Sequence, residues 1–121
     1  MKLRPDVPAV IQLSDEQLAA YNAADTGRFC ACYHENVKVL DMEGNVTLSG
    51  IAAFRDRYGK LFTEWKDVRA DIVGRLHLAN HSVELEIWRR TNPQTGETLT
   101  GQIIVRYTEM DGKLAIVQFL K

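Results

Sequence analysis

Residues 68–91 read Val-Arg-Ala-Asp-Ile-Val-Gly-Arg-Leu-His-Leu-Ala-Asn-His-Ser-Val-Glu-Leu-Glu-Ile-Trp-Arg-Arg-Thr, and their two-residue alternation decides the fold class. Two runs rich in strand-forming residues, 68–78 and 81–91, flank Ala79-Asn80, which sets them as an antiparallel hairpin. Parity then registers the pair. Leu76 faces Val83, Gly74 faces Leu85 and Ile72 faces Ile87 on one side; His77 faces Ser82, Arg75 faces Glu84 and Asp71 faces Trp88 on the other. The apolar side is expected to point inward. That leaves Glu86 and Trp88 on the outer side, where an uncovered indole calls for a partner.

Working outward, two further strands are expected at 97–109 and 113–121, divided by the turn residues Asn92-Pro93-Gln94-Thr95-Gly96 and Asp111-Gly112. The last hairpin pairs Tyr107 with Ile116 on one face and Ile104 with Phe119 on the other. Both faces are apolar, so its inner side stays open. A sheet apolar on both faces has helices on one side and another chain on the other. Glu86, Trp88, Ile104 and Arg106 are therefore the expected face of a homodimer.

Upstream, Gly50 opens a helix whose stripe is Ile51, Phe54, Tyr58, Leu61, Phe62 and Trp65. An opening helix is expected from near Pro8 or Ser14 to about Ala24, with Ser14 and Gln17 as a capping box. Asp25 caps a short second helix through Tyr33, and a first strand at 37–41 ends on Asp41. Helices first and a long bent antiparallel sheet last make an α+β cone, with a pocket at its open end.

The chain has 121 residues, 45% apolar and 26% charged, with net charge −1. That composition fits one globular domain over 1–121 and gives no basic footprint for nucleic acid or an anionic membrane. Residues 1–12 lack the apolar core of a secretory signal, so a cytoplasmic address is expected. Cys30 and Cys32 read as buried thiols. His77 and His81 fall on opposite faces of the hairpin, and no other cluster has ligand spacing, so neither metal nor cofactor is expected.

Asp41 is the candidate for chemistry, a carboxylate at a strand end beside the turn Glu43-Gly44-Asn45. The order Ala20-Tyr21-Asn22-Ala23-Ala24-Asp25, Phe29 to Tyr33, Val37-Lys38-Val39-Leu40-Asp41, Ser49-Gly50-Ile51-Ala52-Ala53-Phe54 and Asp111-Gly112-Lys113-Leu114 resembles the nuclear transport factor two-like superfamily. Within it, the SnoaL-like and ketosteroid isomerase-like branch is the nearest. The resemblance implies a cystatin-like fold and makes Asp41 the proton-shuttling base, supported by Tyr33 and Tyr58. Tyr33 precedes Asp41 by eight residues and Tyr58 follows Gly50 by eight. It also aligns Gln17 with the family's oxyanion tyrosine, and Ile103 or Ile104 with its protonated acid. Isoleucine cannot donate, so Tyr21, Gln102 or Arg106 would have to serve. The implied ligand is a small organic molecule of apolar or mixed polarity. Two functions follow: a cofactor-independent isomerase or polyketide cyclase-like enzyme, and a non-catalytic binding or dimerisation module of the same fold.

Overall fold

Proline at position 8 suits the start of a helix, and α1 runs from there over Ala9–Asn22. The computed structural model describes residues 2–121. The helix starts a turn earlier than a Ser14 cap would allow. Ser14 and Gln17 sit buried within it and form no capping box; both side chains point into the protein instead. Asp25 caps α2, Thr26–Cys30, by accepting the Arg28 amide at 3.1 Å. This helix ends before Tyr33, which opens β1, Tyr33–Leu40. Cys30 and Cys32 are both buried free thiols.

After β2, Val46–Ser49, comes α3, Ile51–Glu64. Gly50 precedes it with φ of 91°, a left-handed conformation that favours glycine. Phe54 from α3 stacks on Phe29 at 5.7 Å with the rings 8° apart, which locks α3 onto α2. Four long strands complete the chain: β3 (Lys66–Leu78), β4 (His81–Thr91), β5 (Thr98–Met110) and β6 (Lys113–Leu120).

The six strands form one sheet in the order β2-β1-β6-β5-β4-β3, antiparallel except where β1 runs beside β6. The fold is therefore the α+β arrangement expected, helices packed on a curved, mostly antiparallel sheet. Phe29, Val37, Val39, Phe54, Val105 and Leu114 fill the space between the layers. No helix among the described residues is long and apolar enough to cross a membrane.

The β3–β4 hairpin keeps two of the three expected pairs in each parity: Leu76 with Val83 and Gly74 with Leu85 in one, His77 with Ser82 and Arg75 with Glu84 in the other. A bulge between Ile72 and Gly74 then shifts the register, so Asp71 faces Ile87 and Ala70 faces Trp88. The faces themselves are reversed from expectation. Ser82, Glu84 and Glu86 are buried toward the helices, whereas Leu76 and Leu78 are 77% and 78% exposed on the outside. The last hairpin is also shifted, by an irregularity at Thr108–Glu109. Tyr107 pairs with Val117 and Ile104 with Leu120. Tyr107, Ala115 and Val117 point inward, while Ile104 is exposed on the outer face.

Candidate functional site

Alternation along β4 sends Ser82, Glu84, Glu86, Trp88 and Arg90 to one face, the concave face under α1 and α3. Such a row inside a protein requires partners for each polar group. Glu84 is 0% exposed and has them: Ser14 Oγ donates to both carboxylate oxygens at 2.7 Å, Ser82 Oγ donates at 2.9 Å, and Arg75 Nε donates at 2.9 Å. Arg75 also reaches Asp15 at 2.7 Å. Ser14, in a helix interior where it disfavours the helix slightly, is thus explained by a carboxylate 70 residues away.

Glu86 has less. It is 9% exposed, and among the described residues its one side-chain hydrogen bond comes from the Tyr107 hydroxyl, at 3.3 Å. Burial pushes its pKa up from 4.5 to about 7, and the negative charge of Glu84 on the same face pushes the same way; the Tyr107 bond and Arg75 oppose both. The result is a carboxyl poised to gain or lose a proton near neutrality.

Glu86 lies in a cavity of about 430 Å³. Its walls include Gln17 and Tyr21 from α1, Tyr33 from β1, Tyr58 from α3, and Trp88 and Tyr107 from the sheet. Tyr33 donates its hydroxyl to Gln17 Oε1 at 3.0 Å. Burial is the main cause that raises the pKa of all four tyrosines, Tyr21 to about 12 and the others further, so each is a neutral donor. Among the described residues, the hydroxyls of Tyr21 and Tyr58 form no side-chain hydrogen bond, which leaves them available to a guest. Trp88 lies flat across β5 because residue 101 is glycine. A Cβ there would stand 2.7 Å from Trp88 Cζ2.

Gln17, Tyr21, Tyr33 and Tyr58 meet around this one space. Asp41 is not among its walls. It sits in the β1–β2 turn, where its carboxylate accepts from the Asn45 amide at 2.9 Å, the Glu43 amide at 3.0 Å and Asn45 Nδ2 at 3.3 Å. The Asn45 amide bond is the largest of the causes that hold its pKa below the usual carboxylate value. A neighbouring groove that Asp41 lines shares Arg57, Ile103 and Phe119 with the main cavity. Gln102 is also outside the cavity; it is exposed on the outer face, and Ile103 takes the inward place beside it. Glu86 and Trp88 belong to the inner face rather than the outer, while Ile104 and Arg106 are on the outer face as expected.

Sequence reasoning set Glu86 on the outer face and gave Tyr107 and Arg90 no place in the cavity. The signal was present in the row Ser82-x-Glu84-x-Glu86-x-Trp88-x-Arg90 paired with Arg75. Apolar-in, polar-out misassigned it, because here the inward face lines a cavity and the outer face is the greasy one.

Residues 15–117 match the family described as SnoaL-like domain. No curated protein sequence gives a significant match. Among solved structures, an uncharacterised cystatin-fold protein from Novosphingobium aromaticivorans superposes with a TM-score of 0.83 at 19% identity, covering 95% of this chain and 99% of its own. The Delta 5-3-ketosteroid isomerase from Mycobacterium sp. also gives 0.83, at 15% identity, covering 95% of this chain and 94% of its own. TerC, co-crystallised with polyporic acid, gives 0.76 at 18% identity, covering 93% and 90%. At these identities the structural likenesses carry the fold.

Proposed function

Because the chain belongs to the SnoaL-like domain family, we propose that its cavity binds a small organic molecule bearing a carbonyl group and that Glu86 transfers a proton within it. The observation that carries this reading is a buried carboxyl hydrogen-bonded to Tyr107 inside a cavity walled by tyrosines, where burial pushes its pKa up to about 7. Ionised Glu86 takes a proton from the carbon beside the carbonyl; the C–H electron pair moves into the enolate, and its charge falls on the carbonyl oxygen. Tyr21 and Tyr58 supply neutral hydroxyls to that oxygen, each typically worth about 2.7 to 4 kcal/mol of barrier. Protonated Glu86 then returns the proton to a second carbon, giving isomerisation; alternatively the enolate carbon bonds to a second carbonyl carbon, whose π pair moves to its oxygen and takes the proton from Glu86, giving an aldol-type cyclisation. No cofactor takes part. TerC's co-crystallisation with polyporic acid in the same fold supports small-molecule occupancy of the cavity.

Glu86 takes this role rather than Asp41 because Asp41's oxygens are committed to the turn amides, which lower its basicity. Exchange of α-protons for deuterium, followed by NMR on a panel of cyclic ketones and 1,3-diketones, separates the two carboxylates without requiring the natural product. Asp41→Asn is expected to exchange at the wild-type rate and Glu86→Gln to lose exchange. The reverse pattern would restore Asp41 as the base.

The outer face supports a second element of the proposal, a homodimer. Leu76 and Leu78 are among the most exposed side chains of their type, and Ile87 and Ile104 join them on the same sheet face. A second copy of the chain covers this face. Ile104→Glu is expected to move the protein to a monomer's elution volume in gel filtration, and an unchanged volume would remove the face from the assembly.

A further inference from the structure

Arg90 lines the cavity two residues beyond Trp88 on β4. Its guanidinium carbon lies 4.4 Å from the centre of the Trp65 ring and 5.3 Å from that of Trp88. Two indoles hold it in place by cation–π attraction. Its Nε is fully buried, and among the described residues it has no hydrogen-bond partner, the only buried side-chain donor in that position. No carboxylate pairs with it within 4.0 Å among those residues. A desolvated donor on a permanent cation is costly unless something accepts from it. Among the described lining residues the acids are Glu64 and Glu86, against the cations Arg57, Lys60 and Arg90.

Arg90 also stands in line with the proposed base. Glu86, Trp88 and Arg90 are alternate residues of β4, so the Cα atoms of Glu86 and Arg90 are about 13 Å apart with the Trp88 indole between them. A molecule lying along that row would meet a planar cation at one end, an aromatic face in the middle and a carboxyl at the other.

We propose that Arg90 anchors an anionic oxygen, that of a carboxylate on a planar ring compound, and so restricts the cavity to ring-bearing organic acids. The inference rests on the proposed function for the orientation of the ligand, with its carbonyl end toward Glu86. The recognition itself depends on Arg90 alone. Guanidinium suits the task because its N–H edge presents several donors in one plane to a carboxylate while its faces stay against the indoles.

Binding of naphthalene-2-carboxylate and of its methyl ester, followed by quenching of tryptophan fluorescence, tests the anchor. The two probes share the ring and differ in charge. Wild-type protein is expected to bind the acid roughly ten- to a hundredfold more tightly than the ester, the span of a charge-assisted hydrogen bond. Arg90→Gln is expected to remove that preference and leave ester binding unchanged. Equal binding of both probes by the wild type, or an unaltered preference in Arg90→Gln, would overturn the inference; the latter result would assign any preference to Arg57 or Lys60. The wild-type comparison needs no substitution, so it decides even if Arg90→Gln folds poorly. Repeating the titration in Glu86→Gln separates the two proposals. Preference for the acid retained there, with Asp41→Asn abolishing exchange, would sink the proton-transfer role and keep the anchor. Lost exchange in Glu86→Gln without any preference for the acid would sink the anchor and keep the base.

Discussion

Glu86→Gln is expected to slow α-proton exchange by about 10² to 10⁴, the usual contribution of a positioned acid or base. The same substitution should stabilise the folded protein at alkaline pH, and this pairing distinguishes a functional carboxyl from a structural one. The folded-state pKa of Glu86, about 7, exceeds its ordinary value of 4.5. Folding therefore favours the protonated form. Below about pH 4.5 both states are protonated and the carboxyl costs nothing; between about 4.5 and 7 the unfolded chain ionises while the folded protein keeps its proton, so stability falls, and the loss levels off above 7 at no more than about 3 kcal/mol. Glutamine keeps the shape and an acceptor for Tyr107 without that charge. The melting temperature of Glu86→Gln relative to wild type should thus rise by several degrees between about pH 5 and about pH 8. A difference independent of pH would mean that Glu86 ionises in water and not in the cavity. The groups that bear on this titration are the charges of Glu84 and Arg75 and the hydrogen bond from Tyr107.

Arg75→Met should be the most destabilising single change on this face, by about 3 to 5 kcal/mol. Among the described residues Arg75 is the only cation bonded to Glu84, whose carboxylate is fully buried. Methionine would fill much of the space but leave Glu84 with only Ser14 and Ser82. A charge so isolated is far worse than none. Adding Glu84→Gln to Arg75→Met should therefore recover part of the loss, a coupling that chemical denaturation of the two single variants and the double variant would measure. Strict additivity would show that the pair contributes through packing alone. The network also links Glu84 to α1 through Ser14 and Asp15, so it fixes the helix against the sheet that carries Glu86.

The order of elements was legible because each carries its own local signal: the cap at Asp25, the positive φ at Gly50, the stripe on α3 and the turn at Asp111-Gly112. Parity along the β3–β4 hairpin was legible for the same reason. What could not be read was which parity faces in. That choice depends on what lies opposite, and α1 presents Ser14 and Gln17 there, so the sheet answers with Glu84 and Glu86. The bulges at Ile72–Gly74 and Thr108–Glu109 add single-residue slips that no alternation rule reveals. Tyr21 and Tyr58 reach the cavity from α1 and α3, whose spacing the sequence carries, whereas Tyr33 opens β1 and was named through the family resemblance. Asp41 drew attention for its place in the chain, yet its turn supplies enough donors to satisfy it locally.

The central claim is that Glu86 titrates near neutrality inside the cavity, and carboxyl ¹³C chemical shifts measured across pH test it most directly, with Glu86→Gln identifying the resonance. A midpoint at about 7 is predicted. A midpoint at the ordinary 4.5 would contradict it, returning Glu86 to solvent and leaving the tyrosine-lined cavity without its base.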